Sequence, residues 1–205
     1  LATILVLGVD PTCSLTVTPS NNTFTGGDPL KMYLGYGPQS ATITCNPSGG
    51  SSFSYSWTGS AISGLGGSVT FAPTAAGNYT ITCTATNEFG CEVTCKVVIC
   101  VKDIRSGGSG TSQKVNICHV PPGNPNNPQT LSVSVNAVAS HLSNHSGDAL
   151  GTCNQTCGSS KRIIENEGAI YTANEFSVVV YPNPSTTAFN FEVESASDEP
   201  ISIAL

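Results

Sequence analysis

Charged residues are scarce in this sequence. Asp, Glu, Lys and Arg make up 10% of the 205 residues, and 7 basic against 13 acidic side chains give a net charge of −6 at pH 7. The few basic residues are scattered, so they form no stripe that could neutralise phosphates or an anionic lipid surface. We therefore expect no nucleic acid partner.

Long apolar runs are also missing. The apolar stretch within residues 1–10 is too short to span a bilayer and lacks the basic flank of a signal peptide. We interpret it as the end of an upstream domain. The alternating residues Ile201–Leu205 stop without a turn or a partner strand, so we expect the sequence to be a piece of a longer protein.

Small polar residues and turn formers take the place of the missing charges. The sequence has 21 glycines and 13 prolines, and 39% of its residues are hydrophobic. Together with frequent Thr, Ser and Asn, this mixture is typical of many short strands joined by turns. It predicts a mainly β protein.

Nine cysteines are many for a chain of this size. They form no paired C-x-x-C knuckles at zinc-ribbon spacing, so they predict disulfides, an oxidising compartment and export. The odd count predicts one cysteine that is free or that pairs outside this stretch. Cys157 is a candidate partner for Cys100 or for a segment outside the sequence.

Residues 11–104 contain short alternating runs separated by Gly, Pro and Asn clusters. The runs are Ser14–Thr18, Ala41–Cys45, Phe53–Trp57, Ser68–Phe71, Tyr79–Ala85 and Glu92–Val101. Six or seven short strands with turns between them predict a two-sheet sandwich. In the run from Tyr79 to Ala85 the even-numbered residues are Thr, so the odd-numbered face should point into the core.

Cys45, Trp57 and Cys83 lie in three of these runs. Their order resembles the core of immunoglobulin-like domains, in which a Trp ring packs against a disulfide between the sheets. The stretch Gly77–Asn87 resembles the G-x-Y-x-x-x-x-x-x-x-N pattern of the PKD branch of that fold. Its Tyr79 lies four residues before Cys83, not two as in antibody domains. The resemblance implies an immunoglobulin-like β-sandwich.

This resemblance favours a Cys45–Cys83 bond, which would stabilise the fold by about 3 to 4 kcal/mol by restricting the unfolded chain. We expect a second bond between Cys13 and Cys91, which begin the first and the last strand. Cys83 also falls opposite Cys95 across the last hairpin, so a competing connectivity stays open.

The Gly-rich segment Tyr33–Gln39 holds two tyrosines. They could form a sugar-binding rim, or they could cover the edge of a core, a use that suits an apolar ring with a polar tip. We expect the second arrangement.

Residues 105–112 are rich in Gly and Ser and predict a flexible linker. Residues 113–157 then predict a small α+β module. It contains a strand in Val115–Gly123 that prolines stop, a strand at Thr130–Val135 and a short helix at Ala137–His145. Because this module is too small to bury much hydrophobic core, a disulfide or a metal must stabilise it.

The second module resembles a small recurrent module of bacterial surface proteins. That module reads C-H-V-P-P-G-N-P, then a strand, then A-H-L, H, G-D and a final Cys. The matching positions are Cys118, His119, Pro121, Pro122, Gly123, His141, His145, Asp148 and Cys153. We expect Cys118 and Cys153 to form a disulfide.

All three histidines of the sequence lie in this module. His141 and His145 are four residues apart and share a helix face, and the disulfide would draw His119 towards Asp148. Three imidazoles and a carboxylate predict a candidate tetrahedral metal site, with zinc favoured. In the alternative, the histidines cap, hydrogen-bond or pack a disulfide-held module. We expect no catalysis, because the neighbouring Ser, Asn and Ala residues offer no base.

The last part of the sequence divides into a charged segment, residues 158–176, which predicts a tether, and a β segment, residues 177–205. In the β segment a strand ends at two prolines, which remove ladder donors and fix φ. Alternating apolar residues from Phe189 to Val193 predict a second strand after a sharp turn.

Tyr181, Pro182, Asn183 and Pro184 stand between these two strands. Near the end of a cysteine-rich β protein, this tetrapeptide resembles the start of the type A sorting domain of type IX secretion substrates. The resemblance implies an incomplete C-terminal β-sandwich sorting domain. It also implies the partners of that family: the type IX translocon, an outer-membrane β-barrel shuttle protein, a surface transpeptidase and a lipopolysaccharide anchor. In the alternative, the motif is an ordinary proline turn.

Together these features predict the non-catalytic C-terminal region of a secreted cell-surface protein, an adhesin or a gliding-related protein, exported across the outer membrane. The rival hypothesis is the accessory sugar-binding and sorting region of a secreted hydrolase. Further immunoglobulin-like repeats upstream would favour the adhesin, and catalytic residues there would favour the hydrolase. The sequence establishes no cofactor, and zinc is the one candidate.

Overall fold

The computed structural model describes residues 11–108, 110–156, 162–163, 176–181 and 190–195. Strands dominate these residues, and their α-helical content is a single seven-residue helix, so the mainly β prediction is confirmed. Among them, no helix has the length and apolarity needed to cross a membrane. The presumed end of an upstream domain, residues 1–10, lies outside the described residues.

Two sheets form the first module. Its strands are β1 (Thr12–Pro19), β2 (Lys31–Leu34), β3 (Ala41–Ser48), β4 (Phe53–Thr58), β5 (Ile62–Ser63), β6 (Ser68–Phe71), β7 (Gly77–Asn87) and β8 (Glu92–Asp103). One sheet has the order β1-β3-β6-β5, and the other contains β4, β7 and β8. All six predicted runs lie in strands. The structure adds β2 and β5, which are short and carry little alternation.

Side chains from both sheets fill one hydrophobic core. Phe71, Ile43 and Ile81 are fully buried there. In β7 the buried residues are odd-numbered and include Cys83 and Ala85, which confirms the predicted core face. The alternation of polar and apolar residues predicted the core face correctly, because each strand has one face on the core and one face on solvent.

The second module is a small sheet with one helix against it. Its elements are β9 (Arg105–Gly107), β10 (Lys114–His119), β11 (Gln129–Ser134), α1 (Val138–Asn144) and β12 (Ala149–Leu150). β10 lies between β11 and β12, and β9 also pairs with β10. Two strands and a helix were predicted here, and all three are present.

The predicted flexible linker is instead part of the second sheet. Arg105 pairs with Val115 and Gly107 with Lys114, and a 3-10 turn follows at Gly110–Ser112. Ile104, directly before β9, is fully buried in the core of the second module. Backbone hydrogen bonds of a strand need no side chain, so composition alone did not distinguish this segment from a linker.

β2 belongs to both modules. It pairs in parallel with the end of β8, and its Tyr33 is buried in the second core beside Ile104 and Val115. Tyr36 packs partly against the same core. Of the two arrangements considered for these tyrosines, the structure has the one that covers a core edge.

The structure joins Cys13 to Cys95, with Cα atoms 6.0 Å apart. The expected Cys13–Cys91 bond is therefore wrong, and Cys91 is a free, partly exposed thiol. Cys13 and Cys95 both point into the core between the sheets, 5% and 1% exposed. The direction of the side chain, rather than its position at the start of a strand, decides which cysteines meet.

Cys45 and Cys83 are free thiols in the same core, so the bond expected between them is not formed in this structure. Cys83 lies directly opposite Trp57 on one side and Cys95 on the other. A hydrogen bond between the two thiols lowers the pKa of Cys45. That bond, together with burial, raises the pKa of Cys83.

Further along the chain, Arg162–Ile163 form the short strand β13 on the edge of β8. β14 (Phe176–Tyr181) and β15 (Asn190–Ser195) pair antiparallel, in agreement with the two strands predicted there.

Cys100 is also disulfide-bonded. Its candidate partner Cys157, and Pro182, Asn183 and Pro184 of the sorting motif, lie outside the described residues.

Candidate metal centre

Three short elements bring the histidines to one end of the second module. His119 is the last residue of β10, His141 lies in the last turn of α1, and His145 is the extended C-cap of that helix. The carbonyl of His145 accepts the backbone N–H of Asp148 at 3.0 Å. This turn brings Asp148 back beside the helix end.

Asp148 is the centre of the hydrogen-bond network. Its side chain is fully shielded from solvent, whereas His119 and His141 are 18% and 23% exposed. Both carboxylate oxygens lie 2.9 Å from Nδ1 of His119, and Oδ2 lies 3.0 Å from Nδ1 of His141. Oδ1 also accepts the backbone N–H of Val120 at 2.8 Å.

The carboxyl of Asp148 is ionised at neutral pH. Burial raises its pKa, but hydrogen bonds from His119, from the Val120 amide and from His141 outweigh that effect and leave the pKa below its usual value. An ionised carboxylate can only accept hydrogen bonds. Nδ1 of His119 and Nδ1 of His141 are therefore both donors.

This selects the tautomer of the neutral form of each ring. A neutral imidazole that donates through Nδ1 has a free lone pair on Nε2. Nε2 of His119 and Nε2 of His141 are thus available as ligand atoms, and the carboxylate behind them holds both rings in orientation.

His145 completes the cluster. Its ring centroid lies 5.0 Å from that of His119 and 5.8 Å from that of His141, and the ring nitrogens make no hydrogen bond to any residue that the structure describes. One nitrogen from each of the three rings lies within 4.8 Å of the other two. This group could hold a metal ion.

The disulfide and a glycine support the site. Cys118, next to His119, is bonded to Cys153 with Cα atoms 4.6 Å apart, which is the pair named from the sequence. A Cβ on Gly147 would lie 2.8 Å from Cβ of Val120, closer than real Cβ contacts. Only glycine lets the Asp148 turn approach the end of β10 this closely.

The four residues named as metal candidates do lie together. Asp148 was expected to be a metal ligand, but it lies behind the histidines. Its oxygens are occupied by two histidines and a backbone amide, and it is not in the group of mutually close ligand atoms. Sequence reasoning missed Val120 and Gly147. The adjacency of Val120 to His119 and of Gly147 to Asp148 could have indicated them.

No protein-family model matches the chain, and neither a curated protein nor a solved structure matches it.

Proposed function

We propose that this chain is the non-catalytic C-terminal region of a secreted cell-surface protein, an adhesin or a gliding-related protein. Residues 11–156 form a rigid spacer with an immunoglobulin-like first module. The segment that follows directs type IX export and surface anchoring. The observation that carries the proposal is that each module has a disulfide-supported core and that β2 contributes side chains to both cores.

Disulfides occur in both modules and indicate an oxidising, extracellular environment. The Cys13–Cys95 bond crosses between the two sheets of the first module. The Cys118–Cys153 bond ties β10 to the chain after β12. Each module is thus supported against unfolding where no cellular chaperone is at hand.

Polar contacts add to the packing at the junction of the two modules. Lys102 Nζ donates to the carbonyl of Gln155 at 2.6 Å, and Gln155 Nε2 donates to the carbonyl of Asp103 at 3.2 Å. Gln113 Nε2 donates to the carbonyl of Gly35 at 3.0 Å. A junction held by core packing and by several hydrogen bonds suits a spacer that keeps an upstream domain at a distance from the cell.

Two ionisable groups with shifted pKa values, Glu88 and Asp103, take part in structural contacts, which supports a non-catalytic role. Glu88 binds the loop at Ser51, and Asp103 pairs with Arg105. The burial of Tyr33 removes one of the two aromatic residues on which the sugar-binding alternative depends.

Two contacts are consistent with the PKD-like interpretation of the first module. The hydroxyl of Tyr79 donates to the carbonyl of Ala75 at 2.8 Å. The buried side chain of Asn87 accepts the amides of Phe89 and Cys91 and so orders the last hairpin. Both residues of the G-x-Y and N pattern therefore have structural roles.

A reporter fusion tests the export proposal. Residues 158–205, followed by any further C-terminal residues of the full reading frame, are fused to a fluorescent reporter with a periplasmic signal peptide. We expect a host with a type IX system to place the reporter on the cell surface or in the medium.

The matched control replaces Tyr181–Pro184 by Gly and Ser and should stay in the periplasm. A host without the translocon should retain both fusions. Periplasmic retention of the unaltered fusion in the competent host would contradict the proposal.

A further inference from the structure

We infer that His119, His141 and His145 form a zinc site, and that Asp148 orients two of the ligands from behind instead of binding the ion. The cluster and its hydrogen bonds carry this inference. It goes beyond the spacer and export function and does not depend on it.

Packing alone gives no reason for three imidazoles to meet in this way. Three ring nitrogens within 4.8 Å would repel one another if the rings were protonated, and neutral rings would bring lone pairs together. A cation that accepts all three lone pairs removes both costs. The buried carboxylate of Asp148 then balances part of the added positive charge.

The orientation of the rings identifies the ligand atoms. Because Nδ1 of His119 and Nδ1 of His141 donate to Asp148, the nitrogens left for an ion are their Nε2 atoms. Carboxylate–histidine–zinc arrangements fix the tautomer in this manner and make the imidazole a better ligand. His145 supplies its nitrogen from the turn that follows the helix.

The donor set indicates zinc. Imidazole nitrogen suits Zn²⁺ better than the oxygen-seeking Ca²⁺ or Mg²⁺. A tetrahedral site with Zn–N bonds of about 2.0–2.1 Å needs ligand nitrogens about 3.4 Å apart, so the rings must move closer together to bind the ion. His145 can make this movement, since no hydrogen bond to a described residue holds its ring. The fourth position is left to a water molecule.

Zinc titration of the intact 205-residue chain tests this. The protein is produced with native disulfides and without a polyhistidine tag, and a chelator removes metals before calorimetric titration with zinc chloride. We expect one equivalent to bind, and we expect Co²⁺ to give the absorption spectrum of a tetrahedral site. Absence of stoichiometric binding of both ions would overturn the inference.

His145→Ala is the sharpest variant, because it removes a ligand without breaking a hydrogen bond to a described residue. We expect it to lose stoichiometric zinc binding, whereas the matched control Asn144→Ala keeps it. Both variants should retain the Cys118–Cys153 bond and the wild-type near-UV circular dichroism. Wild-type zinc affinity in His145→Ala would refute the site.

Asp148→Asn tests the orienting role separately. Loss of a carboxylate behind metal-bound histidines weakens binding by about 10–100-fold. We expect a loss in this range with the one-to-one stoichiometry kept. Unchanged affinity would show that Asp148 does not orient the ligands.

Discussion

Single polar side chains organise the loops of this protein. Asn87 is a buried polar residue, and it holds the hairpin between β7 and β8 together. The next residue, Glu88, reaches across to another loop. It accepts hydrogen bonds from the hydroxyl and amide of Ser51 and from the amide of Ser52. These bonds lower the pKa of Glu88 to about 2, and the bond from the Ser51 hydroxyl has the largest effect.

A pH dependence of stability follows from Glu88. Its folded pKa lies below the unfolded value, so its contribution is fully present above about pH 4.5 and is lost as the pH falls towards about 2. We expect Glu88→Gln to lower the free energy of unfolding at neutral pH and to flatten its decline within this window. Urea unfolding at several pH values measures this.

Glu92→Gln is the matched control for Glu88→Gln. Glu92 lies on the same hairpin but accepts one side-chain hydrogen bond, from Thr86 at 3.3 Å. If both variants show the same pH profile, Glu88 has no special part in acid stability.

At the scale of elements, the sequence predicted what depends on local alternation. The strands that contain Tyr79–Ala85 and Phe53–Trp57 lie where alternation put them, because one face of each strand meets the core. β2 was missed, because Lys31–Leu34 is short and its parallel pairing with β8 depends on tertiary contacts. β9 was missed, because Gly and Ser in Arg105–Gly107 suggested a linker.

The cysteines between the two sheets give a prediction at this scale. Cys45 on β3 and Cys83 on β7 are buried free thiols in the core that also contains the Cys13–Cys95 bond. When the reduced chain refolds in a glutathione redox buffer, oxidised glutathione takes up two electrons and two protons from these thiols and becomes two molecules of reduced glutathione. We expect a Cys45–Cys83 disulfide, detected by non-reducing peptide mapping.

The control for this experiment is Cys91, a partly exposed free thiol outside the core. It should be alkylated in the folded protein, whereas Cys45 and Cys83 should be protected. Recovery of Cys45 and Cys83 as alkylated thiols after oxidation and denaturation would contradict the prediction.

At the scale of the whole molecule, the two modules should behave as one unit. Ile104 is fully buried between β8 and β9, its amide donates to the carbonyl of Leu34, and its carbonyl accepts the amide of Asn116. We expect calorimetry to show a single unfolding transition for residues 11–156. Ile104→Ala should destabilise that transition by about 2–5 kcal/mol.

Leu65→Ala is the control. Because this residue is 95% exposed, its truncation should change the free energy of unfolding little. Two separate transitions in the wild type, with Ile104→Ala lowering only one, would show that the modules are independent.

The candidate site was predictable in part, and for a physical reason. His141 and His145 are four residues apart at the end of the helix, and Cys118 carries its disulfide next to His119, so short spacings indicated a cluster. The role of Asp148 was not predictable, because it depends on which oxygen meets which ring nitrogen and on the amide of Val120. Those contacts exist only in the folded module.

We propose that residues 11–156 stand outside the cell as a rigid spacer. An antibody raised against these residues in folded form is tested for binding to intact cells that produce the protein. We expect intact cells to bind the antibody, and we expect the signal to disappear after brief treatment of intact cells with protease. Antibody binding only after the outer membrane has been permeabilised would contradict it.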